Sequence, residues 1–253
     1  MKQVTVVTGP FRSGTSCVTG LLECCGFDLG SNVRVMRKAS ENNPKGHFEL
    51  DLLYAINQRL MIESFGGGRD ITDVCEYKDL AALAEQRARY FHLFLAKFNG
   101  DLCKDPLFCI TLPFWKKHWP EQRKTIFCMR HPYSVAQSMV ARYGLTERQA
   151  LEVWRTYTER FFDYIAPNDV YIIDFDRFVQ TPLIVFSALL NWLEQPIKLV
   201  DVQAYIEAFF NHHYVSWNAP EGELTDIYHD IMPVYLQVKQ QAASLHSQYT
   251  VKY

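Results

Sequence analysis

Hydrophobic residues along this chain change their spacing in a regular way, and the changes predict elements. Val4 to Thr8, V-T-V-V-T, is a β-branched run of the kind found in strands buried on both faces. Cys17 to Leu22 continues as an apolar, helix-compatible segment, and Gly9 to Ser16 lies between the two. Gly26 and Gly30 mark the end of that first helix. Residues 31–48 are polar, with Arg34, Arg37 and Lys38 and turn signals at Asn43-Pro44 and Lys45-Gly46. They read as a loop entering a helix near Glu49, where Leu53, Ile56 and Leu60 recur at helical spacing. Gly66 to Gly68 breaks that helix, and the polar stretch to Lys78 reads as a mobile surface segment.

Further on, Ala81 to Phe98 reads as one helix, rich in Ala, Leu, Glu and Arg. Leu102 to Pro106 is a short strand or turn, and Pro113 to Trp119 is helical in pattern. Thr125 to Met129 and Val170 to Ile173 are further buried strands, ending at Arg130 and Asp174. Helices follow from His131-Pro132, over Glu147 to Ile165 and over Pro182 to Leu193. The last sixty residues are aromatic-rich and carry no clear period. Strands alternating with helices predict an α/β fold, a parallel β-sheet flanked by helices on both faces. No repeat or low-complexity stretch divides the chain, so one domain over 1–253 is expected.

Composition narrows the function class. The 253 residues are 48% hydrophobic and 21% charged, ample for a real core. A formal net charge of −2 excludes a generally basic protein that coats nucleic acid. Seven cysteines, an odd number without paired C-x-x-C spacing, fit reduced thiols, and no cluster has metal-ligand spacing. Met1 runs almost directly into the first strand, and the longest apolar candidate, Pro182 to Leu193, is interrupted by Ser187 and Asn191. A soluble, cytoplasmic protein with no membrane anchor is the expectation.

Candidate chemistry begins at Gly9. Strand, glycine-bounded turn and helix together aim backbone N–H groups and a helix N-terminus at an anion. G-P-F-R-S-G-T-S matches the P-loop frame G-x-x-x-x-G-K-[ST] except that Thr15 replaces the lysine, which makes the expected fold P-loop-like. Arg12 instead places a cation inside the loop, among the hydroxyls of Ser13, Thr15 and Ser16. This suits a less charged phosphate group than a nucleoside triphosphate. Arg130 sits at the carboxyl end of a strand, where open α/β sheets bind ligands. Ser134 and Ser138, four residues apart, share a face of the following helix, where a hydroxyl and the Arg fork can hold a terminal phosphate.

The loop resembles the 5′-phosphosulfate-binding loop of sulfotransferases, where lysine or arginine precedes S-G-T-[ST]. Arg130 followed eight residues later by Ser138 is similar to the family's 3′-phosphate site, and Asn43 to Glu49, N-P-K-G-H-F-E, resembles a segment near the acceptor. The resemblance covers roughly Val4 to Leu193 and departs at the C-terminus, which has no Arg-Lys-Gly triplet. It implies 3′-phosphoadenosine 5′-phosphosulfate as donor and 3′-phosphoadenosine 5′-phosphate as product. It implies that the backbone from Arg12 through Ser13, Gly14 and Thr15 to Ser16 cradles the 5′-phosphate, with Arg130 and Ser138 on the 3′-phosphate. Arg12 would stabilise charge on the leaving phosphate. A base must take the acceptor's proton: Glu49 first, His47 second.

Lys104-Asp105-Pro106 resembles another family segment, in which Lys104 would contact the transferring group. No metal is expected, because arginine supplies the positive charge. The acceptor is an expected small molecule or glycan: a sugar, a phenol and a lipid head group suit the aromatics over 31–80 and 200–230 alike. Val170 to Asp174 also fits a Walker B strand, and His212-His213 reads as surface or core. The alternatives are a P-loop kinase acting on a small metabolite and a non-catalytic nucleotide-sensing protein on the same fold.

Overall fold

In the computed structural model four parallel strands carry the expected α/β architecture. The structure describes residues 3–36, 45–67, 70–119, 123–166, 170–195, 198–210 and 228–250. The turn at Asn43-Pro44, Arg37, Lys38, Gly68, His212 and His213 lie outside them.

Strand β1 (Val4–Thr8) leads into helix α1 (Thr15–Cys24), followed by a two-stranded hairpin of β2 (Val35–Met36) and β3 (Glu49–Leu50). Helices α2 (Asp51–Ser64), α3 (Tyr77–Gln86) and α4 (Ala88–Lys97) precede β4 (Leu102–Lys104). Then come α5 (Phe108–His118), β5 (Arg123–Met129), α6 (Pro132–Tyr143), α7 (Glu147–Tyr164) and β6 (Val170–Asp174). The chain continues with α8 (Phe175–Gln180), α9 (Pro182–Trp192), α10 (Leu199–Phe209) and α11 (Met232–Tyr249).

The main sheet has the order β4-β1-β5-β6 and is parallel throughout. All five residues of β1 are buried. Since successive side chains in a strand point to opposite faces, such burial requires cover on both sides. After β1 the chain crosses to β4 on one side, then returns to β5 on the other. The connections thus diverge at the β1–β5 pair, and their carboxyl ends open the crevice where such sheets bind ligands.

Several expectations are corrected. The segment before α2 is a strand: Met36 pairs with Glu49 and Val35 with Leu50, so the helix starts at Asp51. Two short strands of this length carry too little pattern to be read. Ala81 to Phe98 is two helices rather than one, with a break at Arg87 (φ −107°, ψ 21°) where its guanidinium reaches Glu63 of α2 at 2.8 Å. The stretch before Lys78 is packed: Cys75 is buried, and Tyr77 stacks on Tyr164 at 3.8 Å between ring centroids. Helix α5 starts at Phe108, five residues ahead of Pro113, which it carries inside. All seven cysteines are unbonded. Among the described residues no helix is long and apolar enough to cross a membrane.

Candidate active site

The loop after β1 turns back through two left-handed residues, Arg12 (φ 69°) and Gly14 (φ 92°). Gly14 is required twice over. A Cβ there would lie 2.3 Å from the ring of Phe175, and the left-handed conformation disfavours any side chain. Helix α1 starts at Thr15 with no side chain capping it, so its first-turn N–H groups point to the crevice with the positive end of the helix dipole.

Inside the loop the hydroxyls do not act alike. Ser13 is fully buried, its hydroxyl donating to the Pro10 carbonyl (2.7 Å) and its N–H to the same carbonyl (3.2 Å). Ser13 thus closes the loop on itself. The Ser16 hydroxyl donates to the His47 carbonyl (3.2 Å) and accepts from Lys104 Nζ (3.3 Å). Thr15 is buried at the helix start and lines the same cleft as Arg12 and Gly14.

That cleft, about 450 Å³, brings together Arg12, Thr15, Ser16, Glu49, Lys104 and Arg130. Arg12 Nε donates to Ser138 Oγ (2.9 Å), so Ser138 orients the loop arginine. Arg130 donates to the Arg12 carbonyl (3.4 Å), faces Asp176 at 3.9 Å and lies 5.8 Å above the Phe175 ring. Burial lowers the pKa of both arginines, and Asp176 counters this at Arg130. Asp176 also accepts the His131 N–H at 2.6 Å, which pins the turn into α6. Ser134 is wholly buried with its hydroxyl unpartnered, away from the cleft lining.

On the opposite side of the loop, Lys104 Nζ sits 2.5 Å from Glu49 Oε1 and also reaches the His47 carbonyl (3.2 Å). Their side chains are 3% and 11% exposed. Glu49 caps no helix, since α2 starts two residues later with Leu50 at its cap position. It is a carboxylate presented to the cleft by β3 and held by a lysine presented by β4. His47 also lines the cleft; burial lowers its pKa, Glu49 opposes that, and Lys104, Arg142 and Arg12 add to it. At neutral pH His47 is therefore an uncharged imidazole.

Behind the pair lies a buried polar chain. Trp115 Nε1 donates to Asn57 Oδ1 (2.8 Å), Asn57 Nδ2 donates to Asp105 Oδ2 (2.8 Å), and the Leu107 N–H donates to Asp105 Oδ1 (2.9 Å). Burial, with the negative charge of Glu49 adding to it, pushes the Asp105 carboxyl up to about 7.

Asp174, at the end of β6, accepts from the Arg177 N–H (3.1 Å) and caps α8. Sequence reasoning did not single out Phe175, Asp176, Tyr54, Arg142 or Tyr143. The available signal for Arg142 is its position four residues after Ser138, which places both on one helical face.

Comparison with known proteins fits this geometry. The model of the sulfotransferase family matches residues 5–198. Sulfotransferase STF9 from Mycobacterium avium shares the fold at a TM-score of 0.53 and 13% identity, covering 94% of this chain and 76% of that one. The sulfotransferase domain from the curacin biosynthetic pathway aligns at a TM-score of 0.47 and 14% identity, over 100% of this chain and 99% of that one. No curated protein sequence matches. With the family model spanning most of the sequence and both predicted motifs, the chain belongs to the sulfotransferase family.

Proposed function

We propose that this protein moves a sulfuryl group from 3′-phosphoadenosine 5′-phosphosulfate to a hydroxyl, or an amine, of a small-molecule or glycan acceptor. The observation that carries the reading is Glu49 held by Lys104 beside the uncapped start of α1 and the Arg12 loop.

The residues fit such a donor. Gly14 leaves the N-terminus of α1 without a side-chain cap, which suits a phosphate. The N–H groups at the start of α1 would hold the 5′-phosphate, and Arg130 the 3′-phosphate as a charge-assisted fork. When bound, the donor supplies the sulfuryl group and departs as the 3′,5′-bisphosphate. Arg12, oriented by Ser138, stabilises the charge that develops on the departing phosphate oxygen. Glu49 takes the proton of the acceptor hydroxyl, and Lys104 fixes the position of its side chain. His47 is the second candidate for that proton. The unbonded thiols favour a reducing, cytoplasmic setting.

Thermal shift tests the reading, since a ligand that binds only the native state raises apparent stability. The 3′,5′-bisphosphate should stabilise the protein more than AMP, and ATP with Mg²⁺ should do little. Stronger stabilisation by ATP with Mg²⁺ would replace this reading with the kinase.

A further inference from the structure

Arg142 is a cation of the cleft that the sulfuryl-transfer reading leaves without a role. It lies in the last turn of α6, one turn beyond Ser138 and on the same face, roughly 6 Å farther along the axis at 1.5 Å per residue. Ser138 is engaged with Arg12, so the helix presents a second guanidinium next to the first. Arg142 lines the cleft together with Tyr143, whose ring centroid lies 5.7 Å from its guanidinium carbon. No carboxylate among the described residues pairs with Arg142. By contrast, Lys104 has Glu49 and Arg130 faces Asp176.

Its position separates it from Arg130 at the start of α6, while its charge still reaches Arg12. The first turn of α1 and Arg130 open at the ends of β1 and β5, at the start of α6. Arg142 stands at the other end of α6, near enough to His47 for its charge to disfavour a proton there. Tyr54 and Tyr143 also line this part of the cleft and sense one another electrostatically. A compound offering its hydroxyl to Glu49 would therefore meet tyrosine rings and a guanidinium that no carboxylate among the described residues engages.

We propose that the acceptor is an anionic aryl alcohol, with a carboxylate bound by Arg142 and a ring packed against Tyr143. The inference rests on the sulfuryl-transfer reading and adds the substrate class. A half-buried guanidinium recognises a carboxylate through two parallel N–H bonds, and a neutral analogue forfeits that charge-assisted pair.

The test is calorimetric, in saturating 3′,5′-bisphosphate, with 4-hydroxyphenylacetate and its uncharged amide as probes. The acid should bind at least about tenfold more tightly than the amide. Arg142→Gln should abolish that preference, and Arg142→Lys should retain part of it, while affinity for the bisphosphate stays within about twofold. Equal binding of acid and amide, or no binding of either, overturns the proposal. So does a loss of bisphosphate affinity in Arg142→Gln as large as the loss for the acid, since Arg142 would then serve the donor. Wild-type protein that fails to bind the bisphosphate sinks the underlying reading, and this inference falls with it. Bisphosphate binding without acid preference sinks this inference alone.

Discussion

Lys104 and Glu49 are 55 positions apart in sequence and meet at 2.5 Å in the cleft. Neither is isolated in water, so the energy of the pair is set by what each loses without the other. Breaking a buried pair from one side typically costs roughly 3–5 kcal/mol, because the remaining charge stays buried. Lys104→Met should therefore destabilise the protein by about that amount, measured by urea unfolding. Glu49→Gln should cost less, since its amide oxygen still accepts from Lys104. In the same Glu49→Gln variant turnover should fall by about 10²–10⁴ with bisphosphate affinity retained. Undiminished turnover would transfer the role to His47.

Arg130 offers a separate test of the donor site. Arg130→Ala should weaken binding of the 3′-phosphorylated nucleotide by roughly 1.5–3 kcal/mol, the scale of a hydrogen bond to a charged group. AMP should bind nearly as before. Equal loss for both would mean that Arg130 holds the turn into α6 through Asp176, which it faces at 3.9 Å.

Gly14 carries a steric and a conformational demand that two variants separate. Gly14→Ala places a Cβ against Phe175 and forces alanine to φ 92°, so bisphosphate binding should be lost. Adding Phe175→Ala removes the contact but not the strain, which is of order 1–3 kcal/mol for a residue held in an unfavourable backbone region. The double variant should remain impaired. Full recovery of binding would show that the ring contact alone demands glycine.

A pH dependence follows from His131. Its Nδ1 accepts the Tyr133 N–H at 3.2 Å as the cap of α6, and burial, aided by Lys239, pushes its pKa down to about 4. A histidine whose folded pKa lies below its unfolded value near 6.5 stabilises the fold fully above 6.5. That contribution is lost as the pH falls from 6.5 toward 4. His131→Asn keeps a capping acceptor and cannot gain the proton. Its Tm should fall less steeply than that of the wild type between those pH values. Parallel Tm curves for the two proteins would exclude His131 as the source.

The turn after β1 was legible in the sequence because its determinants are local. A β-branched strand, two glycines five positions apart and an arginine between them specify the turn without knowledge of the rest. The place of Arg130 just past the end of β5 was legible for the same reason, at the end of an apolar run. The partnership of Glu49 was not, because it depends on the β2–β3 hairpin lying against β4, and two-residue strands leave no periodic trace. Ser13 reads as a ligand by type, yet its hydroxyl is consumed by Pro10 within its own turn. The break at Arg87 was hidden because A-L-A-E-Q-R-A-R-Y-F is continuous in helix propensity, and the tie to Glu63 comes from another element.

The pairing of Thr8 with Phe127 has a consequence for how the site keeps its dimensions. Arg12 and Arg130 leave adjacent strands of one sheet, and neighbouring strands lie about 4.8 Å apart wherever the ladder is intact. The Gly9 turn passes directly over the end of β5, so closely that a Cβ at Gly9 would lie 2.3 Å from the Cys128 carbonyl oxygen. The separation between the two loops is thus a property of the hydrogen-bond ladder, not of either loop's own flexibility. The sheet works as a gauge block for the span between Arg12 and Arg130. A slip of β5 by one residue would carry Arg130 to the other face and leave every residue of the Gly9 loop unchanged but set to the wrong length.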